Sequence, residues 1–290
     1  MPIRYLLLAV LVCCPSAAWT AQKTYDLILV AGQSNAVGFD AKPEDLPPDE
    51  SDQEVLFWWR SGDPPPDEHD STSGGVWTHL KPQHLGNPIK PRKNRQYGNF
   101  AQPSGGFGPE VGLARSLKRT GAKNLAIVKA AFSGTGIRRD WNPESAGPDG
   151  ACYRSLVEEY RKAAHAAGQQ GIRFRIRALV WVQGESDSGA GEVGHYEDAL
   201  VGLVNTLRKD LSAPDMVALL AVNTRFLEGQ RDKEMARIVA SQKTAAKRIG
   251  RSAYVDTSAC SIANRVHFDA AGTLRMGELF AEALRKAENR

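Results

Sequence analysis

Cysteine is scarce in this 290-residue chain: there are four, and Cys13 and Cys14 fall in one early apolar stretch. That excludes a disulfide-dense scaffold, and the remaining pair, Cys152 and Cys260, permits one disulfide or two unpaired core thiols. An excess of one charge is also missing. Lys and Arg number 37 against 33 Asp and Glu, and removing Arg4 with a leader would take the formal net charge from +4 to +3. So weak a basic balance falls far short of one that would suggest nucleic acid, and no nucleic-acid partner is expected. No GxxxxGK[ST] loop occurs, and the one GxGxxG string, Gly189 to Gly194, does not directly follow the predicted strand 176–182, so nucleotide binding has no support and no cofactor is expected. The apolar run Tyr5 to Cys14 is too short to span a bilayer. With Arg4 before it and Ser16-Ala17-Ala18 after it, the run has the layout of a secretory signal peptide over residues 1–18. The mature chain is therefore expected to be secreted or periplasmic, without membrane contact after cleavage.

What the chain does have is ordinary globular composition, 42% hydrophobic and 24% charged, enough to bury one large core. Its organising stretch is Tyr25 to Gly38, an apolar run that stops at Gly32-Gln33-Ser34-Asn35 and reads as a buried strand followed by a tight turn. A long irregular region from Asp40 to Gly106 follows, rich in Pro, Gly, Asp and Ser, of a length that commonly marks a functional loop or lid. Its aromatics, Trp58, Trp59, Trp77 and Tyr97, would suit a sugar-binding groove, although Phe57-Trp58-Trp59 reads better as a short strand whose rings pack. Arg92, Lys93 and Arg95 read as a solvated loop face.

Beyond it, strands and helices alternate. Helices are predicted over 108–121, 153–167, 195–209, 232–249 and 270–286, with strands over 125–131, 176–182, 216–222 and 253–256. Crossovers of this length allow parallel pairing with helices on both faces. The expected fold is one three-layer α/β/α domain over 24–290, with a central parallel sheet of about five strands, interrupted by the 40–106 insertion.

Three strand ends carry chemistry-bearing residues. Ser34 ends the first, where open α/β sheets place ligands, although a serine there also serves simply as a helix cap. Gly134, in Phe132-Ser133-Gly134-Thr135-Gly136, ends the second. Gln183 and Glu185, in Gln183-Gly184-Glu185-Ser186-Asp187, end the third. His267 lies just before the last helix, near the same sheet edge. Acyl transfer by a serine needs a base, a group that orients the base, and donors aimed at the oxyanion. Ser34 is the candidate nucleophile and His267 the candidate base. Glu185 is a candidate orienting carboxylate, and the N–H groups of Ser34 and Gly134 with the Gln183 amide are candidate oxyanion donors.

Gly32-Gln33-Ser34-Asn35, Ser133-Gly134-Thr135, Trp181 to Asp187 and Val266-His267-Phe268 resemble the ordered blocks of the SGNH hydrolase superfamily. More narrowly, they resemble its branch of sialate O-acetylesterases and carbohydrate esterase family six, which includes acetyl xylan esterases. The resemblance runs from about Thr24 to Leu284. It implies a flavodoxin-like fold, a metal-independent esterase, an acetylated carbohydrate as partner, and the roles given above for Ser34, Gly134, Gln183 and His267. Two positions depart from that pattern: Ser133 stands where the family tends to have glycine, which leaves Gly134 in place, and Asn264 is the more serious departure. Asn264, three residues before His267, stands where an aspartate usually completes the triad, and an amide supplies no negative charge to an imidazolium. Glu185 is then the expected substitute, with Asp187 second. Two other readings stay open: a lipase-like SGNH esterase on other acyl chains, and a carbohydrate-binding protein without catalysis, to which Asn264 lends support. The sequence assigns no oligomeric state.

Overall fold

The computed structural model describes residues 22–63, 66–86, 100–189 and 191–289. The expected leader over 1–18 and the loop residues Arg92, Lys93, Arg95 and Tyr97 lie outside the described residues. Among those described, no helix is long and apolar enough to cross a membrane.

Strand β1 (Lys23–Gly32) is the centre of the sheet. It pairs in parallel with β5 (Leu125–Phe132) on one side and β6 (Ile172–Val182) on the other. Beyond β6 come β7 (Val217–Ala221) and β8 (Ser252–Tyr254), again parallel. Beyond β5 comes β2 (Val55–Gly62), which carries two short antiparallel strands, β3 (Ser71–Thr72) and β4 (Thr78–His79). Among the described residues the sheet thus has eight strands, ordered β3-β2-β5-β1-β6-β7-β8 with β4 on β2, against about five expected. The additional strands come from the region read as irregular. Phe57-Trp58-Trp59 is indeed a strand there, and it adds to the parallel sheet.

Alternate residues of β1 face opposite cores. Leu27, Leu29 and Ala31 pack under α3 (Ala151–Gly168), α4 (Val193–Asp210) and α5 (Asp232–Ile249). Ile28 and Val30 pack under α1 (Ser34–Val37), α2 (Glu110–Arg119) and α6 (Ala270–Glu288). This is the expected three-layer sandwich, and its strands are apolar on both faces because both faces are covered. Cys152 lies in the first core and Cys260 in the second, so the sheet separates them and both are free thiols. Of the insertion's described aromatics, Trp58 and Trp59 are buried in packing and line no groove. Trp58 donates to Glu159 Oε2 (2.7 Å), Trp59 stacks on Phe57 (5.1 Å), and Trp77 packs on Trp58 and Phe174.

Candidate active site

The chain enters the sheet at its middle strand, and later strands lie on both sides of it. The crevice where the two sides part lies at the carboxyl end of β1, the usual ligand position of an open α/β sheet. Gly32 ends that strand with φ +135°, and a Cβ there would lie 2.0 Å from the Val182 carbonyl oxygen. Only glycine allows the strand end to pass so close to β6. Helix α1 then starts at Ser34, which is 6% exposed. N–H groups in a helix's first turn have no intrahelical acceptor, so the Ser34 backbone is a natural anion donor.

The other end of α1 is fixed from beneath. Lys129, fully buried in β5, donates to Val37 O (2.9 Å), Gln83 Oε1 (2.7 Å) and Glu110 Oε1 (2.8 Å). Desolvation lowers the pKa of this ammonium even though the Glu110 carboxylate works to raise it.

His267 sits on the loop before α6. Asn264 shapes that loop, its Oδ1 accepting from Val266 N and His267 N at 2.9 Å each. The face of the imidazole rests on Phe39, ring centroids 4.4 Å apart. Its Nδ1 lies 2.7 Å from Asp40 Oδ2. An ionised carboxylate only accepts, so Nδ1–H donates and Nε2 is left as the basic nitrogen. Asn264 Nδ2 donates to the same Asp40 oxygen at 2.9 Å. Burial pushes the Asp40 carboxyl up, but the hydrogen bonds from His267 and Asn264, with the charges of His267 and Lys42, outweigh this and hold it below its ordinary value.

Asn35, the residue after Ser34, ties the Ser34 turn to the histidine loop. Its Oδ1 accepts from Phe268 N (3.1 Å) and its Nδ2 donates to Val266 O (3.2 Å), so it grips the backbone on both sides of His267. Asn223, beyond the end of β7, supports the same carbonyl through Nδ2 (3.1 Å).

Glu185 is not the partner of His267. It lies beneath this clasp, 1% exposed, where Oε1 accepts from Asn35 Nδ2 (2.8 Å) and Asn223 N (3.0 Å) while Oε2 has no partner. Desolvation raises its pKa, and these two donors offset only part of the rise. Asp187, the second substitute, points to the loop after β5. Its two oxygens accept from Ile137 N at 3.1 Å each and it also accepts from Gln183 Nε2; burial pushes its carboxyl up to about 6. The reason is positional: both acids follow β6 on a turn packed under the crevice, whereas His267 stands at its rim.

Gln183 reaches the loop of Gly134, as expected, but in another role. Its amide nitrogen donates to Thr135 O (2.9 Å), to Gln33 Oε1 (3.3 Å) and to Asp187, which keeps both hydrogens within the protein and makes the side chain a brace for that loop. Gly134 itself has φ +69° with open space about it. Beside it opens a cavity of about 420 Å³ lined by Arg138, Arg139, Ser186 and Glu192 among others.

Sequence reasoning missed Asp40, Asn35, Asn223 and Lys129. Asp40 had a usable signal, being a carboxylate six residues after Ser34 on the same turn. Lys129 had one too, a lone cation inside an apolar strand.

The family model for carbohydrate esterases described as sialic acid-specific acetylesterases matches residues 24–286. No curated protein matches the sequence. Among solved structures, a protein of Arabidopsis thaliana aligns with TM-score 0.63 and 17% identity over 90% of this chain and 98% of its own. NanS aligns with TM-score 0.61 and 16% identity over 93% and 99%. A carbohydrate acetylesterase from Xanthomonas citri aligns with TM-score 0.57 and 17% identity over 91% of this chain and 57% of its own. At such identities the structural likeness speaks for the fold. The family match covers nearly the whole described chain and includes every residue of the Ser34, Gly134, Gln183 and His267 blocks, so the chain belongs to the sialic acid-specific acetylesterase family of carbohydrate esterases.

Proposed function

We propose that the protein is an exported serine esterase that removes O-acetyl groups from carbohydrates through an acyl-enzyme on Ser34. The observation that carries this reading is the His267 imidazole, fixed at Nδ1 by a carboxylate and joined through Asn35 to the turn that bears Ser34. Ser34 Oγ attacks the acetyl carbonyl while His267 Nε2 takes its proton, a transfer worth roughly two to four orders of magnitude in rate. The N–H groups of Ser34 and Gly134 receive the oxyanion, and Gln183 holds the Gly134 loop in place for it. The imidazolium then returns its proton to the departing sugar hydroxyl, leaving an acetyl ester on Ser34. Water, deprotonated by the same imidazole, attacks that ester and releases acetate. The sugar lies in the open cavity beside Gly134, whose charged and hydroxyl-bearing lining suits a polyol better than a long acyl chain.

The test is acetate release from an aryl acetate and from acetylated glycans, parent against Ser34→Ala. Loss of release in the variant with an unchanged fold supports the reading, whereas undiminished release would end it. A parent active on long acyl esters and inert on acetyl sugars would instead favour the lipase-like alternative. Export is tested separately, by finding the amino terminus of the protein recovered outside the cytoplasm: a start near residue 19 is expected.

A further inference from the structure

Charge is needed on the far side of the imidazole, and the position that would ordinarily supply it holds Asn264. One described carboxylate hydrogen-bonds His267, and it comes from the other side of the crevice: Asp40 Oδ2, 2.7 Å from Nδ1. We propose that Asp40 is the acid of the triad, supplied by the nucleophile's own turn, and that Asn264 serves as its holder. This rests on the reading of Ser34 and His267 given above.

The two residues fit each other chemically. Asn264 has one acceptor and one donor group at work: Oδ1 closes the histidine loop on Val266 N and His267 N, and Nδ2 donates to Asp40 Oδ2. An aspartate at 264 could close the same loop, but its second oxygen would face Asp40 at 2.9 Å, where two carboxylates cannot both stay ionised. With Asp at 40, position 264 is best filled by an amide. The Asn264 departure is thus a consequence of where the charge comes from, and it no longer argues for a dead site. The arrangement also joins nucleophile and acid in one short segment. Phe39, between α1 and Asp40, packs on the ring whose edge Asp40 holds, so Ser34 and its base are located by the same few residues.

The test compares Asp40→Asn, Glu185→Gln and the double variant Asp40→Asn with Asn264→Asp, using an aryl acetate. An amide at 40 can present N–H to Nδ1 and force the wrong tautomer, which in serine proteases costs about 10⁴-fold in turnover. A kcat loss of about that size is expected here, with KM little changed. Glu185→Gln is expected to stay within a few-fold of the parent. The double variant returns a carboxylate to the cluster and is expected to regain at least about tenfold over Asp40→Asn, a rescue that a merely structural role would not give. In parallel, proton NMR on the Ser34→Ala background follows the His267 Nδ1–H: the signal is expected to survive Glu185→Gln and to vanish in Asp40→Asn. If Asp40→Asn keeps kcat within a few-fold and keeps the Nδ1–H signal while Ser34→Ala is inactive, Asp40 is not the acid although the esterase reading stands. Activity retained in Ser34→Ala would remove the esterase reading itself.

Discussion

Asp40 and Glu185 are two carboxylates on opposite sides of one loop, and they have been given opposite jobs. Asp40 stands at the rim, its side chain 15% exposed, with the imidazole and an amide donating to one oxygen. Glu185 lies on the floor with two neutral donors on one oxygen and nothing on the other. A carboxylate that keeps some water and gains a cationic partner stays ionised, whereas one stripped of water among dipoles is driven toward its acid form. The first can stabilise an imidazolium. The second can only hold a backbone in position, which it does through Asn35 and Asn223. A third acid, Glu110, is as deeply buried as Glu185 but faces a cation, Lys129. Burial alone therefore does not fix what a carboxylate does here; its partner does.

The contrast can be broken at several points. The largest effect is expected from Asp40→Asn, about 10⁴-fold in kcat, read by steady-state kinetics. Next is Lys129→Met, which leaves Glu110 buried without its cation: a loss of about 3–5 kcal/mol is expected in urea unfolding. The companion change of both residues to apolar ones should recover most of that loss. Asn35→Ala removes the clasp on Val266 and Phe268 while sparing Ser34 and His267 themselves. Misplacement of that kind costs about 10²-fold, and it should fall on kcat, with the Asp40 pair intact by NMR.

The smallest effect on rate, and the sharpest test of the comparison, concerns pH. Glu185 has a folded pKa above its unfolded one, so it binds its proton more tightly when folded; its contribution to stability is largest at acid pH and is lost as pH rises through the folded value. Asp40 has the opposite sign. Its folded pKa is lowered, so its contribution is present above the unfolded pKa of 3.8 and lost as pH falls. Glu185→Gln keeps an acceptor for Asn35 and Asn223 without a charge to desolvate. At neutral pH it should raise the melting temperature, by about 2–4 °C for each kcal/mol relieved, and the gain should shrink on acidification. A Glu185→Gln variant that melts lower at neutral pH than at pH 4, relative to the parent, would show that this carboxylate is favourably ionised after all.

The local sequence determined a good deal. Strong periodicity and short turns placed the helices within a few residues, for example Asp232–Ile249 as predicted and Ala270–Glu288 close to it. Ser34, Gly134 and His267 were legible because each sits where a strand or helix begins or ends, and such boundaries are written in neighbouring residues. What lay beyond the sequence was partnership across the fold. Asp40 and His267 are 227 positions apart and Asn35 and Phe268 are 233; nothing local says that they meet. Glu185 looked eligible because it follows a strand at the right edge, yet rim and floor are separated only by how the turn packs. Trp58 and Trp59 were legible as packing residues of a short strand, but which partners cover them, Glu159 and Phe57 among them, was decided only when β2 joined the sheet. The chain itself sets which elements form and which chemistry-bearing residues stand at their ends. Only tertiary packing decided which carboxylate keeps its charge, because that depends on water excluded and donors supplied by segments far away in sequence.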